Sequence, residues 1–222
     1  MHLMLPTVGV GLAIVAWWGA SLRIPDLSRL RAEQASAHSK AEASALPTDL
    51  VEAKAGITRT MAQLDLTIAK LEALVATKGD LDKPSKDSLA AIESLDNETK
   101  ALKTRGDEMR DRGAAYFEAW EKQLAAMSTP EVVAIASKRK DELSAKYAEV
   151  LTAMQESRAA LDAFWDDMKP IRSALDDGLT PDKHKLLGPQ VKSAKEKAAT
   201  LKTRVEATFA KLNEVGLMYT KH

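Results

Sequence analysis

The chain has 222 residues, enough for one or two ordinary domains, and its 32 basic side chains cancel its 32 acidic ones. No global field therefore recruits nucleic acid or an anionic surface. Charged residues make up 29% of the chain and aromatic ones only 5%. With ten Gly, eight Pro and few β-branched residues, a sandwich or barrel is disfavoured and a mostly helical chain is expected. The absence of cysteine removes thiol catalysis, disulfides, Cys-ligated zinc, iron–sulfur clusters and a lipid-anchoring cysteine.

Leu3 to Leu22 is a stretch of twenty residues without a charge, long enough to cross a hydrocarbon core as a helix. Leu12, Ile14 and Val15 supply its apolar body, and Trp17 and Trp18 stand where amphipathic rings favour the headgroup level. An uncleaved transmembrane anchor over residues 1–24 is expected. A cleaved signal peptide would want a basic leading region, and only the amino terminus and His2 precede the apolar run. A buried helix of the following domain would want a polar face, which this segment lacks. Arg23, Arg29 and Arg31 after the span favour a cytoplasmic domain by the positive-inside rule, although a two-residue tail carries little weight in that rule. Gly9 with Ala13, and Ala16 with Ala20, have the small-x-x-x-small spacing that lets spans pack closely.

Residues 25–47 read as a polar stalk or linker helix ending at Pro47, and residues 48–222 as an antiparallel coiled-coil bundle. The first bundle helix starts near Asp49, with Glu52 at the capping-box spacing. It repeats Leu50, Ile57, Leu64 and Leu71 at sevens beside Met61, Ile68 and Val75. It stops at Lys78–Gly79–Asp80. The second helix, from about Ser85 to Met127, carries Leu95, Leu102, Met109 and Tyr116 beside Ile92, Thr99, Gly106, Gly113, Trp120 and Met127. Small residues at Thr99, Gly106 and Gly113 predict an unusually close neighbouring helix, with Trp120 continuing the seam.

Ser128-Thr129-Pro130-Glu131 restarts the chain as a third helix. There Val133, Tyr147, Met154, Leu161, Met168 and Leu175 alternate with Ala136, Leu143, Val150, Phe164 and Ile171. Pro170 predicts a kink or break. Asp176-Asp177-Gly178 closes this helix, and Thr180-Pro181-Asp182 opens the last, which bears Leu187, Ala194, Leu201, Thr208 and Val215 beside Val191, Ala198, Val205, Leu212 and Tyr219. Short turns make sequential helices antiparallel neighbours. The fold expected is all-α: a transmembrane helix, then an elongated bundle of about four helices with narrow apolar stripes and little interior for a pocket.

Chemistry is hard to find. The histidines (His2, His38, His184, His222) are scattered, none standing three after a glutamate, so the Glu-x-x-His pairs of a di-iron bundle are absent. There is no glycine-rich phosphate loop and no His-Glu-x-x-His. Asp166-Asp167 and Asp176-Asp177 are adjacent and do not face each other on a helix. No catalytic residue, metal or cofactor is expected, and no small-molecule substrate.

One asymmetry stands out. Lys183, Lys185, Lys192, Lys195, Lys197, Lys202 and Arg204 face a single acid, Glu196, in their stretch. This is either a contact for anionic lipid headgroups or a solvated face balanced by acids on neighbouring helices. Nucleic acid is disfavoured because no aromatic side chains interleave with the basic ones.

Tyr116-Phe117-Glu118-Ala119-Trp120-Glu121-Lys122-Gln123-Leu124, followed by Ser128, Ser137, Arg139, Tyr147, Met154, Phe164 and Leu187, resembles an uncharacterised bacterial cell-envelope helical family, catalogued only as a domain of unknown function. The resemblance covers residues 85–215. It implies an envelope location with the bundle on the periplasmic side of the inner membrane, against the arginines after the span, and it carries over no catalytic residue. This chain lacks the family's lipid-anchoring Cys and its usual Asn-containing segment near Leu179–Leu187. The expected function is a non-enzymatic, membrane-anchored structural or accessory subunit of an envelope or membrane complex, whose partners are the lipid bilayer and other protein subunits. The alternative is a lipid-surface scaffold working through the basic last helix.

Overall fold

The computed structural model describes residues 27–220, with side chains from 51 to 218, so the expected anchor and its Leu12, Ile14, Val15, Trp17 and Trp18 lie outside the described residues. The described chain is four helices: α1 (Leu27–Ala76), α2 (Asp82–Ala126), α3 (Pro130–Asp176) and α4 (Pro181–Thr220), with no strand among them. No described helix is long and apolar enough to cross a membrane. The chain divides into two compact units, residues 1–38 and 39–222. Of the first, only the helical stretch 27–38 is described; the second holds the bundle.

Cross-helix contacts fix the topology of that bundle. Between α1 and α2, the Gln63 amide donates to the Ala91 carbonyl (3.1 Å) and the Ser88 hydroxyl to that of Lys70 (3.3 Å). Lys140 pairs with Glu121 (2.7 Å) and Arg158 with Asp107 (2.8 Å) between α2 and α3. The α3–α4 seam joins Asp167 to Ser193 (2.6 Å) and Glu149 to Lys211 (2.7 Å). The ring closes between α4 and α1, where His184 Nε2 meets the Leu74 carbonyl (2.8 Å) and Lys202 pairs with Asp65. In every seam, rising numbers on one helix meet falling numbers on the next. The three sequential pairs and the closing α4–α1 pair are therefore all antiparallel.

Leu64, Leu71, Leu74, Ile92, Leu95, Val150, Phe164, Met168, Ile171, Leu187 and Leu212 are essentially fully buried along this axis. Most are heptad positions, as the periodicity predicts. On α1 the second inward row is shifted in part: Thr60, Thr67 and Leu74 are buried beside the predicted Ile68, while Met61 and Val75 are only partly so. Thr60 donates to the Gly56 carbonyl (3.0 Å), and Thr67 to those of Gln63 (2.8 Å) and Ala91 (3.1 Å). Each hydroxyl is satisfied on the backbone while its methyl packs, so threonine substitutes for an apolar residue at these sites.

Helix ends follow local chemistry. Asp80 accepts the Asp82 amide (3.0 Å) to start α2, and Thr180 accepts that of Lys183 (3.3 Å) to start α4. After α3 the chain turns at Gly178, whose φ of 84° lies in the left-handed region that glycine adopts freely.

The helices do not end or break at their prolines, against the end expected at Pro47 and the break expected as one outcome at Pro170. α1 runs through Pro47 without a restart, and α3 and α4 continue through Pro170 and Pro189. Pro170 and Pro189 are exposed, as are Asp166 and Lys185 four residues before them. The carbonyls they leave free therefore face water, while buried Met168 and Ile171, or Leu187 and Val191, hold the helix on its inner side.

Candidate functional site

The small-residue seam lies between α2 and α3. Thr99 is 2% exposed and Gly113 is buried, with Gly106 and Trp120 half-buried. A Cβ at Gly106 would come within 2.8 Å of Met154 Cε, and one at Gly113 would overlap the Tyr147 phenol. Tyr147 is held in place there by its hydroxyl, which donates to the Met109 carbonyl (2.6 Å). Beyond it sits an aromatic cluster. Trp120 packs edge-on to Tyr116 with centroids 5.7 Å apart, Tyr116 edge-on to Phe117 at 5.4 Å, and Phe117 against Tyr147 at 5.6 Å. Past this cluster, where α2 turns into α3, Met127, Val132 and Ile135 are 40%, 50% and 71% exposed.

The basic stretch of α4 is mostly balanced by acids. Lys195 pairs with Glu72 and Lys202 with Asp65 on α1, and Arg204 pairs with Glu156 on α3 (2.8 Å). Lys185 is 3.1 Å from Asp182, and Lys183 is 3.5 Å from Asp177. Lys192 and Lys197 are exposed and make no ion pair among the described residues. An open groove of about 610 Å³ runs along α1 and α4, lined by Val75, Val191, Lys192 and Lys195 together with Glu72 and Glu196. Its charges are of both signs. Balancing by acids of neighbouring helices is one of the two readings of this stretch, but the partners were not readable, because sequence spacing does not say which acid of another helix comes alongside.

At the centre of the bundle all four helices surround a cavity of about 90 Å³, where the narrow stripes predicted little interior space. Ile57, Leu161, Leu201 and Leu212 line it with Met61, Met109 and Met154. One hydroxyl residue per helix belongs to the same wall: Thr60, Thr99, Ser157 and Thr208. None leaves its polar atom facing the space unsatisfied. Thr60 donates to the Gly56 carbonyl, Thr99 to that of Asp96 (3.0 Å), Thr208 to that of Arg204 (3.2 Å), and Ser157 bonds to the Thr208 hydroxyl (2.9 Å). The wall is accordingly almost wholly apolar.

Three cations line the cavity as well. Arg158 donates to Asp107 (2.8 Å) and to the Lys103 carbonyl (3.1 Å), and Lys103 pairs with Asp162 (2.8 Å). The Arg158 hydrogen bond holds the Asp107 carboxyl below its ordinary range. Arg105 has no hydrogen bond or ion pair among the described residues. Its guanidinium lies over Gly56, where a Cβ would approach Nη1 to 2.8 Å. Among the described residues no group of His, Asp and Glu is arranged to hold a metal ion.

Four sequential antiparallel helices around one apolar axis define an up-down-up-down four-helix bundle. Residues 37–215 match the family described as "Protein of unknown function (DUF2959)", and the chain belongs to that family. The match covers most of the chain and includes the aromatic run from Tyr116 to Leu124. No curated protein and no solved structure matches the chain.

Proposed function

We propose that this protein is a non-enzymatic structural or accessory subunit of a bacterial envelope or membrane complex, tethered by residues 1–24, with its bundle on the periplasmic side. The observation that carries this reading is the apolar end of the α2–α3 hairpin. Val132 and Ile135, three apart and so on one side of α3, stand well exposed just after exposed Met127. Apolar side chains in such a group mark a protein-contact surface more often than a solvated one. The charge-free run from Leu3 to Leu22 supplies the tether.

The test is affinity purification of the tagged full chain from its native membranes. The expected result is a stoichiometric partner that is lost in the double variant Val132→Ser with Ile135→Ser, whose melting temperature stays near that of the parent. A chain that purifies alone, or a partner indifferent to these substitutions, overturns the reading. Exposed Lys192 and Lys197, which make no ion pair among the described residues, support a second reading, contact with anionic lipid headgroups. Converting both to Gln should then lower vesicle binding at low salt for anionic vesicles and leave neutral vesicles unaffected.

A further inference from the structure

The central cavity has a wall suited to hydrocarbon and one cation without a partner among the described residues. Of the three cations on its wall, Arg158 and Lys103 are engaged by Asp107 and Asp162, whereas half-buried Arg105 has no partner among the described residues. A half-buried arginine without an acceptor among the described residues keeps its planar fork of donors available, and that fork matches a carboxylate edge. Because Arg105 both lines the cavity and is partly exposed, it stands where the cavity meets solvent.

We propose that this is a binding site for an amphipathic carboxylate of the fatty-acid class, its alkyl tail in the cavity and its carboxylate on Arg105. Each part of the site has a counterpart in such a ligand. The satisfied hydroxyls of Thr60, Thr99, Ser157 and Thr208 present no unmet polar atom to a hydrocarbon chain. The cavity, at about 90 Å³, is smaller than the roughly 150 Å³ that holds benzene in a protein core, so it admits a short alkyl segment as it stands. Unbranched, flexible Met109 and Met154 on the wall give way to a longer tail more readily than branched side chains. The missing side chain at Gly56 leaves the guanidinium its place between α1 and α2.

The probes are carboxyl-labelled octanoate, neutral octanol and tail-less acetate, followed by NMR on the purified full chain against a protein-free blank of the same detergent or lipid composition. Octanoate is expected to bind saturably, one per chain, about tenfold or more tighter than octanol, the scale of a charge-assisted hydrogen bond. Acetate is expected not to bind. Arg105→Gln should bring octanoate down to the level of octanol, leave octanol unchanged and leave the melting temperature near that of the parent. Ala53→Leu, which adds volume to the cavity wall, should weaken both; if that variant fails to fold, Arg105→Gln still decides. Octanoate binding no tighter than octanol, a preference that survives Arg105→Gln, or no saturable signal above the blank overturns the proposal. Loss of the partner-binding reading would not affect this outcome, since the hairpin end and the cavity are separate sets of residues.

Discussion

At the scale of the residue, Gly113 and Tyr147 form the tightest contact between α2 and α3. The Tyr147 ring occupies the volume a Cβ would need, and its hydrogen bond to the Met109 carbonyl keeps it from swinging aside. Gly113→Leu should therefore destabilise the bundle by about 1–3 kcal/mol or more through overpacking. Replacing a glycine on an open helix surface would instead stabilise by up to about 1 kcal/mol. A thermal melt of the full-length variant against the parent reads the sign, and an unchanged or raised melting temperature would contradict the contact. The close approach was legible from Gly106 and Gly113 recurring at seven. The partner was not, because Tyr147 also belongs to a heptad series of its own and nothing in the chain pairs the two. Thr60 and Thr67 escaped the pattern for a related reason: a threonine counts as polar until its hydroxyl is seen to be spent on a backbone carbonyl.

At the scale of the element, the α1–α4 seam carries cross-helix ion pairs on its exposed side. Lys202 with Asp65 and Lys195 with Glu72 tie together helices that are remote in sequence and adjacent in space. Lys54 adds a contact of its own, with its ammonium 5.7 Å from the centre of the Phe209 ring. Exposed pairs contribute little, and a double-mutant cycle on Asp65 and Lys202 should return a coupling of about 0.2–1 kcal/mol. Exchanging the two charges, Asp65→Lys with Lys202→Asp, should recover most of the stability that either single reversal loses, and added salt should shrink the coupling. A coupling of zero at low salt would mean that the pair is incidental. The same seam explains why α4 looks more basic in sequence than it is in the bundle. A stretch of seven cations against one acid loses much of its excess once α1 and α3 place their carboxylates alongside.

At the scale of the whole molecule, charge pairing across helices makes stability depend on pH. On the α3–α4 side, Glu149 accepts hydrogen bonds from Lys211 and Lys146, and these hold its carboxyl below the ordinary glutamate range. Asp107, beside Arg158, is lowered in the same direction. A carboxylate whose folded value is depressed adds stability that is in place above its unfolded value and is lost as pH falls through the folded one. Glu149→Gln should therefore lower the melting temperature at neutral pH and make little difference in acid below the carboxylate range, so the two melting curves converge there. Equal separation of the curves at both ends would show that Glu149 acts through packing instead of charge.

Much of the architecture is a property of short stretches of chain. Heptad repeats, the Ser-Thr-Pro-Glu restart and Gly178 after Asp177 each act over a few residues, so the four bundle helices, their order and most of the buried positions were readable before any neighbour was known, whereas the separate stalk helix expected to end at Pro47 is part of α1. Whether α3 breaks at Pro170 was not readable, since a proline is tolerated where its freed carbonyl faces water, and that depends on which side the bundle buries. The cavity and the state of Arg105 were further out of reach. Both arise from the register of four helices, which sets one hydroxyl residue from each helix around a common space and gives Asp107 and Asp162 to two of the three cations there. Spacing within one helix carries no information about register between helices, and that register was settled only by packing the four together.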